Sequence, residues 1–195
     1  MRSQVFSHDG TCVFEGVWTA ITAAKSFNTN LLNIPKDATH WVRYTTGATA
    51  ALVIGETVHG NTSAATAVLV AQAVEVGTAG SSDTGIVFLR ALTGTWVAET
   101  LHADGSGGTV AIAQAPIALI NCSPHPKTLV VAAEVADINV TISGLTPTAT
   151  AGTNHGITIT NGQSEAYRGI NNIRYFQAIN AVASNGALMK YRLYY

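Results

Sequence analysis

The chain has 195 residues, 47% of them hydrophobic and only 11% charged, with a formal net charge of −1. A charged share under half of the usual roughly 25% is spread thinly: the cations stand singly, with no basic stripe from Lys25 to Arg192. Nucleic-acid binding through clustered cations is therefore not expected, and no apolar run reaches the ~20 residues that a membrane-spanning helix requires.

The scarcity of charge needs a cause. A free soluble protein keeps its surface charged and its apolar patches small, so a surface of Thr, Ser, Asn and Ala points to a subunit covered by its neighbours in an assembly. The other reading is a secreted β-protein rich in Thr, Ser and Gly.

The N-terminal stretch MRSQVFSHDGTCVFEG carries polar and acidic residues where a signal peptide needs an unbroken apolar region. Without an oxidising compartment, Cys12 and Cys122 are expected to be buried free thiols. Strands are predicted over Thr11–Trp18 and His40–Thr45, which are rich in aromatic and β-branched residues. Between them, Leu31–Ala38 ends in a Pro-Lys-Asp turn signal and reads as a loop feeding the second strand. Ala20–Lys25 is the best short helical candidate, and no stretch beyond about ten residues has helical periodicity.

Residues 53–71 and 96–114 then repeat one another. VIGETVHGNTSAATAVLVA aligns without a gap on WVAETLHADGSGGTVAIAQ at a constant offset of 43, with Glu56/Glu99, Thr57/Thr100, His59/His102, Ser63/Ser106 and Thr66/Thr109 identical. Each copy is an apolar pair, Glu-Thr, a His, a cluster of small turn formers and an apolar run, which is the pattern of a hairpin. Further strands are predicted over Ala71–Val76 and Gly85–Leu92, separated by a turn cluster at 77–83.

Beyond Pro116 the predicted strands are Ile117–Asn121, Thr128–Val135, Asn139–Ser143, Gly156–Thr160, Ile173–Ala181 and Ala187–Tyr195. Asn185-Gly186 is a tight-turn dipeptide and predicts a hairpin between the last two. The closing strand alternates large apolar with charged side chains, so one face suits a core. The expected fold is all-β: a β-sandwich (jelly-roll-like) of residues 1–46 and 117–195, with an inserted small β-module, residues 47–116, made of the duplicated hairpin.

No catalytic site is expected. No nucleophile elbow or Walker loop occurs, and Asp104-Gly105-Ser106-Gly107-Gly108 falls in a hairpin turn, not at a strand-to-helix junction where phosphate would be cradled. No cofactor is expected, and no metal either. Glu56 and His59, three apart in a strand, point to opposite faces, and duplication alone accounts for the pairing of His59 with His102.

The segment Val53–Val68 resembles a GE-T-V-x-G-x-TS-x-A-T-A hairpin repeat common in virion-associated β-modules of tailed bacteriophages. The second copy keeps Glu99, Thr100, Ser106 and Thr109 but has Ala98 and Ala103 for the two glycines. Gly162-Gln163-Ser164-Glu165, Ile173–Ile179 and the terminal strand also look like the closing hairpin of small phage head and tail accessory domains. The resemblance implies a non-enzymatic structural protein, made in the host cytoplasm and placed on the virion. Within that class it implies a capsid decoration or cement protein that binds the major capsid protein, commonly as a homotrimer, and adds interface free energy against the pressure of packaged DNA. Candidate interface residues are Val5, Phe6 and Phe14 of the N-terminal arm and Tyr191, Tyr194 and Tyr195 of the last strand, tyrosine being enriched at interfaces. Core packing is the competing role for those tyrosines. The alternative functions are a phage tail or fibre component that touches a host surface glycan with the loops around Asn61 and Asp104, and a small polysaccharide depolymerase.

Overall fold

The structure, a computed structural model, describes residues 13–19, 21–27, 29–47, 50–120, 122–149, 156–182 and 186–195. These hold strands β1 (Val13–Thr19) and β2 (Lys25–Ser26), helix α1 (Thr29–Leu32), and strands β3 (His40–Gly47), β4 (Thr57–Gly60), β5 (Thr66–Thr78), β6 (Ser81–Thr93), β7 (Glu99–Ala103), β8 (Thr109–Ile112) and β9 (Ile117–Ala118). After them come β10 (Thr128–Glu134), β11 (Ile138–Thr141), β12 (Ile157–Ile159), β13 (Ser164–Arg168), helix α2 (Ile170–Arg174), β14 (Gln177–Asn180) and β15 (Leu188–Tyr194). The protein is all-β, and every strand pairing is antiparallel. Neither short helix is long and apolar enough to cross a membrane.

The chain divides into two compact units, Met1–Phe27 with Asn121–Tyr195, and Asn28–Ile120. The first contains two four-stranded sheets, ordered β1-β15-β10-β13 and β12-β11-β14-β2. The alternation of β15 decides what lies between them: Met189, Tyr191, Leu193 and Tyr195 are buried, while Lys190 and Arg192 point outward to Glu134 and Glu15. Trp18 of β1, Phe27, Tyr167 of β13, Phe176 and Tyr191 form a chain of ring contacts at 4.8–6.5 Å across this core.

One member of that core is imperfect. The Tyr167 hydroxyl is buried with no hydrogen-bond partner among the described residues, and burial pushes it up to about 12. Because an unmet buried hydroxyl costs roughly 1–3 kcal/mol, Tyr167→Phe is expected to leave the urea midpoint unchanged or raise it. A loss above about 1 kcal/mol would mean that the hydroxyl has a partner after all.

The second unit is a closed barrel. Its strands follow β6-β5-β4-β7-β8-β3, and a β6–β3 pairing shuts the ring, so that β3 meets β6 on one edge and β8 then β9 on the other. Closure removes exposed edges, and six strands leave a narrow interior. That suits the small Ala65, Ala67 and Ala103 of its core, packed beside Val42, Val58, Leu69, Leu101 and Val110. It also explains Gly85, where a Cβ would lie 2.1 Å from the Ala73 carbonyl oxygen, and Gly47, where it would lie 1.6 Å from Asp83 Oδ1. Asp83 is fully buried, with the Tyr44 hydroxyl donating to its Oδ2 at 2.6 Å and Gln72 Nε2 at 3.0 Å.

Several sequence expectations change here. The strand His40–Thr45, assigned to the sandwich at 1–46, is β3 of the barrel, because its aromatic and β-branched row completes the ring beside β6 and β8. Ile117–Asn121 likewise contributes β9 to the barrel. The run Ile173–Ala181 is half helix, with only Gln177–Asn180 extended. Ala20–Lys25 is not helical over its described residues, whereas Thr29–Leu32 is. The hairpin expected at Asn185-Gly186 is not formed: β14 pairs with β11 and β2, and β15 with β1 and β10, so this connection crosses between sheets. Asn185 itself lies outside the described residues.

Cys122 is disulfide-bonded, where free thiols were expected. The chain's other cysteine, Cys12, lies outside the described residues. The register shows why sequence distance misleads: Val13 and Thr128 both stand opposite Tyr194, so β1 and β10 begin at the same end of the sheet.

Candidate functional site

The duplicated hairpins lie side by side in the barrel and obey a local two-fold axis. On the β4–β7 ladder Val58 stands opposite Ala103, His59 opposite His102, and Gly60 opposite Leu101. A residue paired with its own duplicate marks the axis. The two turns repeat each other bond for bond. Gly60 N donates to Ala65 O as Ala103 N does to Gly108 O, both at 2.8 Å, and Ala64 N donates to Gly60 O as Gly107 N does to Ala103 O. Ala64 and Gly107 both have positive φ, at 56° and 68°.

The shared glutamates act across the axis. Glu99 of the second copy holds the turn of the first: Ser63 Oγ donates to it at 2.6 Å, Thr62 N at 2.8 Å and Ser63 N at 2.9 Å. Glu56 of the first copy receives Ser106 Oγ of the second at 2.8 Å. Burial pushes the Glu99 carboxyl up, but the hydrogen bonds from Ser63, Thr62 and Val97 together outweigh it and hold the group below its ordinary value. Each hairpin is thus clasped by the other, which is a structural reason for Glu and Ser at these positions.

Alternation turns Val58, Gly60, Leu101 and Ala103 inward and leaves Thr57, His59, Thr100 and His102 on the outer face. Thr66 of β5 and Thr109 of β8 flank the histidines, making a row Thr66–His59–His102–Thr109 across four strands. The two imidazoles have centroids 5.0 Å apart at 43°. His59 Nδ1 lies 2.6 Å from Asp104 Oδ1, whereas the buried His102 Nδ1 has no hydrogen-bond partner among the described residues. A ligand atom from each of His59, His102 and Asp104 lies within 4.8 Å of the others. Comparison with protein-family models, with curated proteins and with solved structures finds no match.

That geometry corrects the sequence reasoning at one step. Glu56 and His59 do diverge, as strand alternation requires, but the histidines meet between copies, not within one. The repeat places a histidine at the matched position of both hairpins, and the pairing of the two hairpins brings His59 and His102 face to face.

The candidate interface residues fare differently. Phe14, Tyr191 and Tyr195 are buried within their own unit, with Phe14 and Tyr195 in an edge-to-face contact at 5.1 Å, so they offer no surface to a partner. Phe14 and Tyr191 occupy inward positions of β1 and β15, and Tyr195 directly follows β15 on the same side as Tyr191. Tyr194 points the other way and is partly exposed. Val5 and Phe6 lie outside the described residues.

Exposed apolar side chains occur elsewhere. Leu145, Ile157 and Tyr175 are 53%, 51% and 49% exposed. They gather around the end of β11: Thr141 Oγ1 donates to Leu145 O at 2.5 Å, Ile157 stands opposite Val140, and a Cβ at Gly144 would lie 3.4 Å from the Tyr175 ring.

Proposed function

We propose that the protein is a non-enzymatic structural subunit of a tailed-phage particle, a decoration or cement protein bound to the outside of the capsid. The observation that carries this reading is the apolar corner of Leu145, Ile157 and Tyr175 in a chain with so little charge. Single exposed apolar residues are ordinary, but a gathered set marks a contact surface. A rigid sandwich presenting such a corner suits a part that adds binding free energy between shell subunits and performs no chemistry.

The test is co-sedimentation of the purified protein with phage heads and, separately, with tails, alongside sedimentation analysis of the free protein for a trimer. Wild type should pellet with heads. Leu145→Asp combined with Tyr175→Asp should weaken that association at least about tenfold, equivalent to about 1.4 kcal/mol, while the circular dichroism and melting temperature stay unchanged. Association with tails alone, or a monomer with no affinity for either, would overturn the reading in favour of the tail or free-protein alternatives.

A further inference from the structure

We propose that His59, His102 and Asp104 form a binding site for a first-row divalent cation of the zinc type, set on the local two-fold axis of the barrel so that the ion bridges β4 and β7. Two imidazole nitrogens and one carboxylate oxygen are a ligand set suited to Zn2+, which takes three protein ligands and leaves a fourth position for water. The three ligand atoms already lie within 4.8 Å of one another. An ion with bonds of about 2.0–2.1 Å holds neighbouring ligand atoms about 3.3 Å apart. Asp104 and His59, with side chains 51% and 36% exposed, are free to reach that spacing, and the same exposure gives the ion a way in.

Two further observations favour a ligand over a plain histidine pair. The buried Nδ1 of His102 has no hydrogen-bond partner among the described residues, an arrangement that costs free energy unless something meets it. The symmetry also shows what is missing. Position 61 is the duplicate of position 104, and there Asn61 stands where an aspartate would meet His102 as Asp104 meets His59. The site therefore holds three of the four positions of a symmetric set, with one carboxylate where two would fit. Glu56 and Glu99 do not compete for the ion, since both carboxylates are held by the turns they clasp.

The test uses the tag-free full chain, stripped of metal, titrated with Zn2+ alone in competition with a chromogenic chelator. One equivalent should bind in the micromolar range and raise the melting temperature. His102→Ala and Asp104→Ala should each weaken binding at least about tenfold and abolish the thermal shift. Asn61→Asp, which supplies the absent carboxylate, should tighten binding severalfold. It serves as the second variant should either alanine form fail to fold. An absence of stoichiometric binding, or an affinity unmoved by His102→Ala and by Asn61→Asp, would overturn the proposal.

Discussion

Phe176→Ala is expected to destabilise the sandwich unit by about 3–5 kcal/mol, the range for emptying a buried aromatic site. Phe176 is fully buried just before β14, in the sheet β12-β11-β14-β2. From there its ring reaches Trp18 at 6.5 Å and Tyr167 at 5.4 Å, which belong to β1 and β13, the two outer strands of the other sheet. It also meets Phe27 at 5.7 Å. The side chain thus ties both edges of one sheet to the other, and rings so placed cannot collapse into the vacated space without moving strands. Urea unfolding followed by tryptophan fluorescence is the measurement, with Phe176→Leu as an intermediate. A cost below about 1 kcal/mol would show that the aromatic cluster is not packed as described.

Glu99→Ala is expected to cost the barrel about 2–4 kcal/mol, and Glu56→Ala only about 1 kcal/mol, although the two residues are duplicates. Glu99 accepts from one hydroxyl and two close backbone N–H groups, all of which lose their partner, while Glu56 accepts from one hydroxyl. The inequality traces to a neighbour. A Cβ at Gly60 would lie 2.3 Å from Glu99 Oε1, so the carboxylate uses space over Gly60 that a methyl fills at the equivalent Ala103. The same bonds set a pH dependence. Glu99 has a native value below the ordinary 4.5, so its contribution is complete above that pH and is lost as the pH falls through the native value. Acid unfolding of Glu99→Ala should accordingly be shallower than that of wild type below about pH 4.5. Equal costs for the two alanine variants would refute the asymmetry.

Much of this architecture is legible in the sequence. The strand content follows from alternation and turn chemistry, and the duplicated hairpin was visible as a repeat, because period-two patterning and positive-φ residues are local properties of the chain. What failed was partnership. His40–Thr45 reads as a strand from its own residues, but nothing in those residues says that β6 and β8 lie beside it. The pattern of Leu188–Tyr194 correctly gives one apolar and one polar face. Whether the apolar face meets a core or another protein depends on Trp18, Phe27 and Phe176 arriving from far along the chain.

The candidate site divides the same way. Sequence by itself determined that Glu, His and Ser recur at matched places in two hairpins, and that Glu56 and His59 point to opposite faces of their strand. Only the tertiary structure decided that the hairpins lie antiparallel about a two-fold axis, which brings each histidine against its duplicate and each glutamate into the other copy's turn. The reason is physical: side-chain direction is set by the φ and ψ of a few neighbouring residues, whereas strand order and register follow from closing six strands into one ring, a condition that the whole barrel satisfies together or not at all.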